Sequence, residues 1–366
     1  MRFAEFTDEW GKYELSHFVT RITRRNKNNE SSLPLTISAQ YGLVDQISFF
    51  NKTVASVDLS GYYLLYNGDF AYNKSYSNDY AWGAVKRLDK YEKGCLSSLY
   101  FVFRPNDNID SDYLTHYFES SKWHKGISNI AGEGARNHGL LNMAVDDYFA
   151  TKHYLPSLPE QRKIARVFNA ITRRIEIQNK IISNYETLIK GLCDMIFRHN
   201  KSVSLSDLVK CKTSALQENT VSTCHRGEYK VLGASGAIAA IDTYQFEESG
   251  ILVLKDGSKA GKIQFAQGKY SVVGTSVVLI PNEACDARYL YFAMSSIDFE
   301  KYKVGSGIPH IYFKDYSNER IYYPEKALRK KIIKTLDFYE TRVEIEREML
   351  SAMQKQKAFL LQSMFI

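Results

Sequence analysis

The stretch DYFATKHYLPSLPEQRKIARVFNAITRRIEIQNKIISNYETLIKGLCDMIF, Asp147 to Phe197, lies without a gap over DYSNERIYYPEKALRKKIIKTLDFYETRVEIEREMLSAMQKQKAFLLQSMF, Asp315 to Phe365, at a constant offset of 168. Identities run its full length, among them Asp147/Asp315, Tyr148/Tyr316, Pro156/Pro324, Ile164/Ile332, Arg174/Arg342, Ile177/Ile345, Leu192/Leu360 and Phe197/Phe365. The chain is written twice. Each copy closes on a long amphipathic segment preceded by a basic segment without that periodicity. Two such halves present two similar surfaces, which narrows the possible functions more than any single residue does.

Stepping alternately by four and three from Ile164 gives Ile164, Phe168, Ile171, Ile175, Gln178, Ile182, Tyr185, Ile189, Leu192 and Ile196. Only Gln178 is polar, so the pattern is a narrow coiled-coil seam, not a broad globular face. The second seam reads Ile332, Leu336, Tyr339, Val343, Glu346, Leu350, Met353, Lys357, Leu360 and Met364. Gln178 matches Glu346 in the repeat, and a polar residue within a seam penalises slipped registers. The two helices are therefore expected to pair, with Gln178 and Glu346 near the middle. About 40 residues at ~1.5 Å each make a rod of roughly 60 Å, far longer than an average globular helix. Pro156 and Pro159 mark the start of the first helix and Pro324 that of the second, because proline cannot sit in a helix interior.

Upstream the repeat continues with insertions. YELSHFV (Tyr13 to Val19) matches VSLSDLV (Val203 to Val209), and YFVFRPN (Tyr100 to Asn106) matches SVVLIPN (Ser276 to Asn282). Both halves then carry a glycine-flanked loop, AGEGARNHGLL (Ala131 to Leu141) and VGSGIPHIYF (Val304 to Phe313). The short runs of Val, Ile, Tyr and Phe between these anchors, broken by Gly, Asn and Asp, indicate an α+β chain whose globular parts are β-rich, not alternating βαβ units. The halves differ most there, which suggests one scaffold with two reading surfaces. The segments expected are 11–155 and 201–322 as globular domains, with 156–200 and 323–366 as spacer helices.

The chain has 366 residues, 44% hydrophobic, with a formal net charge of +7. That length exceeds one core, and the charge suits an anionic partner. None of the five cysteines forms a CxxC pair or stands at zinc spacing, so free thiols and a cytoplasmic location are expected. No apolar run is long enough to cross a bilayer, and the charged opening does not read as a signal peptide.

At LPSLPEQRKIARVF (Leu155 to Phe168), where Pro156, Leu158, Glu160, Gln161 and Ile164 form the pattern, the chain resembles the specificity subunit of type I restriction–modification enzymes. The opening FTDEWGKYELS and the two-fold order of domain and helix extend the resemblance over nearly the whole chain. The second copy departs from it, with Glu325, Lys326, Ala327, Leu328 and Arg329 following Pro324 and no Glu-Gln pair. The resemblance implies a non-catalytic subunit whose two target recognition domains each read half of a split double-stranded DNA site. It implies that the helices form an antiparallel coiled coil setting the gap, and that methyltransferase and restriction/translocase subunits dock on the assembly. S-adenosylmethionine, ATP and Mg would then belong to those partners, and this chain would need no cofactor or metal. Pro159, Glu160 and Gln161 are the docking candidates.

Base edges are read by Arg, Lys, Asn, Gln and His, and glycine lets a backbone approach closely. The DNA-binding candidates in the first half are Arg24, Arg25 and Lys27, with Arg136, Asn137 and His138 in the glycine-flanked loop. Lys74, Lys86 and Arg87 rank below them. In the second half they are Lys255, Lys259 and Lys262 around Gly257 and Gly261, with Lys303 and His310 at the matching loop. Catalytic elements are not evident: there is no Pro-Pro for an amino-methylating motif and no Walker Gly-Lys-Ser/Thr. The competing reading is a structural or signalling coiled-coil protein whose basic domains bind other proteins.

Overall fold

In the computed structural model the described residues are 1–52, 54–77, 80–132, 139–198, 202–221, 226–283, 286–305 and 307–366. By packing, the chain divides into two units, one of residues 1–177 with 349–366 and the other of residues 178–348. The long helices run Leu158–Phe197 and Lys326–Ser363. Each therefore gives one part of its length to the first unit and the remainder to the second, and neither stands apart as a separate layer. Pro159 occupies the first turn of its helix, where a missing N–H costs nothing, and Pro324 precedes the other.

The first unit is built on two sheets. One is antiparallel, in the order Val19–Arg21, Phe101–Pro105, Phe70–Asn73, Ala84–Arg87. In the other, Pro34–Ser38 pairs antiparallel with Gly42–Asp45 and parallel with Lys93–Leu96, which Tyr63–Tyr66 extends. A ribbon joins Gly11–Glu14 to Lys152–Leu155. The core is aromatic. Tyr72 stacks on Tyr148 at 4.8 Å between ring centroids, and Phe70 on Phe103 at 5.6 Å. Ile164 and Phe168 of the first long helix, with Met364 and Phe365 just past the end of the second, belong to this same core.

The second unit repeats the plan. Its antiparallel sheet runs Val209–Thr213, Ser276–Pro281, Gly250–Leu254, Ile263–Ala266, the same order as in the first. Tyr229–Gly233 again pairs antiparallel with one strand, Gly236–Ile241, and parallel with another, Tyr270–Val272. The ribbon is Val203–Ser204 with Arg320–Ile321. Phe197, Ile332 and Leu336 of the long helices lie in its core with Tyr289, Leu290 and Tyr316. The α+β, two-fold organisation expected from the repeat is borne out, and the structure adds that the strands of the two units pair in the same order.

All ten positions of each seam are buried or half-buried. Within the first unit Phe168 stacks on Phe365, just past the end of the other helix, with ring centroids 5.5 Å apart. Within the second the helices meet at Gln178 and Glu346 and again at Tyr185 and Tyr339, 6.3 Å apart. Rising numbers on one helix meet falling numbers on the other, so the pairing is antiparallel. Gln178 Nε2 donates to the Glu346 carbonyl at 3.0 Å and to its Oε2 at 2.5 Å, while Arg342 donates to Glu346 Oε1 at 3.1 Å. The polar pair is thus satisfied inside the seam. Lys357, the other polar seam residue, ion-pairs with Glu119 at 2.9 Å.

Candidate nucleic-acid interface

Both units end their central strand in the same construction. In the first, Asn73 closes the strand Phe70–Asn73 and Lys74 follows. The Tyr76 N–H donates to the Gly139 carbonyl at 3.0 Å, and the Leu141 N–H to the Lys74 carbonyl at 2.9 Å. In the second, Leu254 closes the strand Gly250–Leu254 and Lys255 follows. The Gly257 N–H donates to the Pro309 carbonyl at 2.9 Å, and the Ile311 N–H to the Lys255 carbonyl at 2.9 Å. These bonds tie the chain leaving each glycine-flanked loop to the end of the central strand. A left-handed glycine completes each construction just before the neighbouring strand: Gly83 at φ 77° and Gly261 at φ 89°. A Cβ on Gly83 would lie 2.1 Å from the Asn73 carbonyl oxygen, and one on Gly261 would lie 2.5 Å from Phe299 Cβ. Only glycine fits there.

The second-unit candidates are brought together by this arrangement. His310 pairs with both Val304 and Asp256 through isolated bridges, and its Nδ1 lies 2.8 Å from Asp256 Oδ1. Lys255 Nζ is 3.3 Å from Asp256 Oδ2. Lys259, Lys262 and Lys303 line one shallow depression with Ser258 and Glu300, and Lys303 pairs with Glu300 at 2.6 Å. Lys259 and Lys262 carry no ion pair among the described residues and are exposed. Tyr312, half exposed beside His310, is an aromatic face the sequence reading passed over.

In the first unit the result is mixed. Arg136, Asn137 and His138 lie outside the described residues. Arg24 is committed inward: Nη2 donates to Asp69 at 2.7 Å, Nε to the Leu64 carbonyl at 3.0 Å, and the guanidinium lies 4.3 Å over Tyr66. Arg25 donates to the Gly61 carbonyl at 2.7 Å and packs 4.2 Å over Tyr63, while Lys27 is exposed. Asp69 is fully buried and also accepts Arg104 Nε at 2.6 Å, so one carboxylate orients two guanidinium groups beside a groove lined by Thr20, Arg21 and Asn106. Arg21 and Arg104 do not stand out in the sequence because each sits alone in a strand-like run, and the antiparallel pairing of Thr20 with Arg104 and of Arg21 with Phe103 places them on neighbouring strands. Of the lesser candidates, Arg87 is taken up by Asp89 and Asp112 at 2.6 and 2.7 Å, and burial pushes the Lys86 ammonium down from its ordinary value.

Two of the three docking candidates have their side chains occupied. Glu160 is fully buried and held by Arg2, whose Nε and Nη2 each donate at 2.7 Å. Gln161, 2% exposed, accepts from the Asp110 N–H at 2.9 Å and donates to the Pro156 carbonyl at 2.9 Å. Their side chains fasten the helix start to the domain and offer no surface to a partner; Pro159 alone of the three is exposed. Exposed apolar side chains do occur on the long helices: Ile177, Met349 and Phe359 in the first unit, and Leu188, Phe338 and Ile345 in the second.

Eight of the 26 tyrosines are buried. Tyr72, Tyr113, Tyr117, Tyr148, Tyr270, Tyr289 and Tyr316 are among the largest fully buried side chains. Cys95 and Cys193 are buried and Cys211 half-buried, all as free thiols. Among the described residues no group of three His, Cys, Asp or Glu could hold a metal, and no helix is long and apolar enough to cross a membrane. The geometry supplies cations, amide groups and exposed aromatic faces at the loop edges of two sheets, which suits a polyanion with readable edges.

Comparison with known proteins agrees with this. Residues 198–354 match the family described as the type I restriction modification DNA specificity domain. A stretch of 122 residues is 27% identical to the type I restriction enzyme MjaVIII specificity subunit of Methanocaldococcus jannaschii, covering 32% of this chain and 28% of the relative. The chain thus matches little more than a quarter of that relative's length. Its fold is similar to the crystal structure of a type I restriction–modification system S subunit from M. genitalium, with a TM-score of 0.62 at 15% identity over 100% of this chain and 97% of the other. It is also similar to a chain from a structural study of complex assembly and conformational transition in the type I R-M system, with a TM-score of 0.55 at 16% identity over 98% of each.

Proposed function

We propose, on the premise that the chain belongs to the specificity-subunit family of type I restriction–modification systems, that it is the DNA-reading component of such a system and catalyses nothing itself. Each unit reads one half of a bipartite double-stranded target, and the paired helices set the gap between the halves. The observation that carries this reading is the shared construction at the strand ends: one sheet order, one pattern of loop hydrogen bonds, and different side chains along the loop edges. A common framework with divergent edges is what two readers of different half-sites require. In this reading the donors and acceptors along the loop edges meet base edges, and surrounding cations supply affinity for phosphates.

Methyltransferase and restriction subunits are the partners in this reading, and S-adenosylmethionine, ATP and Mg act on them in the cytoplasm. Docking falls to Pro159 and to the exposed apolar residues of the long helices, of which Ile177 and Ile345 are equivalent positions of the repeat. The test is domain exchange. Replacing residues 11–155 with the corresponding segment of another such subunit, followed by mapping of methylated bases, is expected to change one half of the target and leave the other. A change in both halves, or in neither, overturns the proposal.

A further inference from the structure

We infer that Lys74 and Lys255 are one residue in two copies, and that each grips the phosphate backbone of its half-site and reads no base. The inference rests on the DNA-reading function proposed above. No alignment offset taken from the sequence relates the two lysines: 168 serves the helices and 176 the strand before them, whereas Lys74 and Lys255 are 181 apart. The backbone relates them instead. Each is the first residue after the central strand, and each accepts at its carbonyl, at 2.9 Å, from the residue leaving the glycine-flanked loop.

Around this position the two copies have diverged. Asn73 stands where Leu254 does, Ser75 where Asp256 does, Tyr76 where Gly257 does, and Leu140 where His310 does. The lysine alone is retained among these neighbours. A residue that chose bases would differ between readers of different half-sites. A residue kept in both answers to what the half-sites share, and that is the phosphodiester.

The side-chain environments agree with this. Lys74 lays its ammonium 4.6 Å over the Phe101 ring and has no carboxylate partner among the described residues. Burial lowers its pKa, so an arriving anion would supply the counter-charge that the fold does not. Lys255 is half-buried with Asp256 at 3.3 Å, an exchangeable partner at the surface. A lysine is a point charge on a flexible stem, which suits a phosphate oxygen approached from any angle and lacks arginine's rigid planar fork.

The experiment uses the chain assembled with its methyltransferase subunits and a duplex carrying its own target. Binding is measured across a salt series for the parent, Lys74→Met, Lys255→Met, the double variant, and Lys→Arg at each site. The slope of log K against log salt is expected to become shallower by about 0.9 for each lysine removed and to be restored by arginine. The methylated sequence is expected to be unchanged in every variant. If the parent prefers its target and the Met variants keep the parental slope, the inference fails while the functional reading stands. A change in the target sequence of either Met variant also overturns it, because the lysine would then be reading a base. If the parent does not distinguish its target from a scrambled duplex, the functional reading falls and takes the inference with it.

Discussion

Arg329 holds Asp286 with two nitrogens, Nε 2.9 Å from Oδ1 and Nη2 3.3 Å from Oδ2, and donates Nη1 to the Pro324 carbonyl at 2.7 Å. In the repeat Arg329 stands where Gln161 does, and Gln161 donates to the equivalent carbonyl, that of Pro156. The helix start is thus fastened to its domain in both units with different chemistry. In the first, Asp110 caps its own helix through the Tyr113 N–H at 2.9 Å, and its backbone N–H is left for Gln161. In the second, the Asp286 carboxylate makes no cap bond to its own helix and turns to Arg329 and the Tyr323 hydroxyl instead. Of the missing Glu-Gln pair, the glutamine's role is therefore taken by Arg329, while Leu328 stands at the glutamate's position.

Arg329→Met should destabilise the second unit by about 3 kcal/mol, since it strands a buried carboxylate. The Arg329 and Asp286 side chains are only 9% and 5% exposed, so solvent cannot take over the lost role. Urea denaturation checks this. A loss under 1 kcal/mol would show that Tyr323 suffices to hold Asp286.

Glu346→Leu removes the side-chain partner of buried Gln178 and should cost about 1–3 kcal/mol. Adding Gln178→Leu should recover most of that loss, because an apolar pair of similar size fills the seam without an unpaired amide. The recovered protein should nevertheless hold its helix register less strictly, since the polar pair penalises slippage. Disulfide trapping between cysteines placed along the two helices reads the register. A single trapped register in the double variant would show that the domain cores alone fix it.

His153 gives the first unit an acid-sensitive contact. The Thr151 hydroxyl donates to the Tyr148 carbonyl at 2.6 Å, so His153 Nε2 must donate to Thr151 Oγ1 at 2.8 Å. Burial keeps the imidazole neutral, so its Nδ1 accepts from the Tyr117 hydroxyl at 2.8 Å. Burial lowers its pKa from 6.5 to about 4. The unfolded chain binds the proton first, so this stability is complete above pH 6.5 and is lost as pH falls through the window down to about 4. The loss should approach roughly 3 kcal/mol. His153→Gln should flatten the pH dependence of urea stability over that window; an equally steep dependence would assign it to other groups.

Gly261→Ala should disturb the second reading edge. The backbone there is left-handed, and the new Cβ would lie 2.5 Å from Phe299 Cβ. A stability loss of about 2 kcal/mol and weaker binding to the second half-site are expected. Binding to duplexes altered in one half-site at a time checks the second effect. Equal weakening for both halves would count against one reader per unit.

The division into two repeats, the helical seams and the polar match of Gln178 with Glu346 were legible in the sequence, because a heptad pattern and a gapless repeat are local regularities. The pairing partner was legible for the same reason: an apolar stripe of that length must be covered, and its copy offers the matching one. The site was only partly legible. Lys255, Lys259, Lys262, Lys303 and His310 stood out as candidates because glycines mark their loops, but the commitment of Arg24 to Asp69 depends on a residue 45 positions away. The burial of Glu160 depends on Arg2, 158 positions distant.

The sequence by itself determined that this is a duplicated α+β protein with two long paired helices, since periodicity and self-similarity survive in one dimension. Only the tertiary structure decided which cations are spent inside the fold and which stay at its edges. It alone made Lys74 and Lys255 the same position. That equivalence is carried by backbone hydrogen bonds between distant segments, and insertions in the intervening loops erase it from any linear comparison.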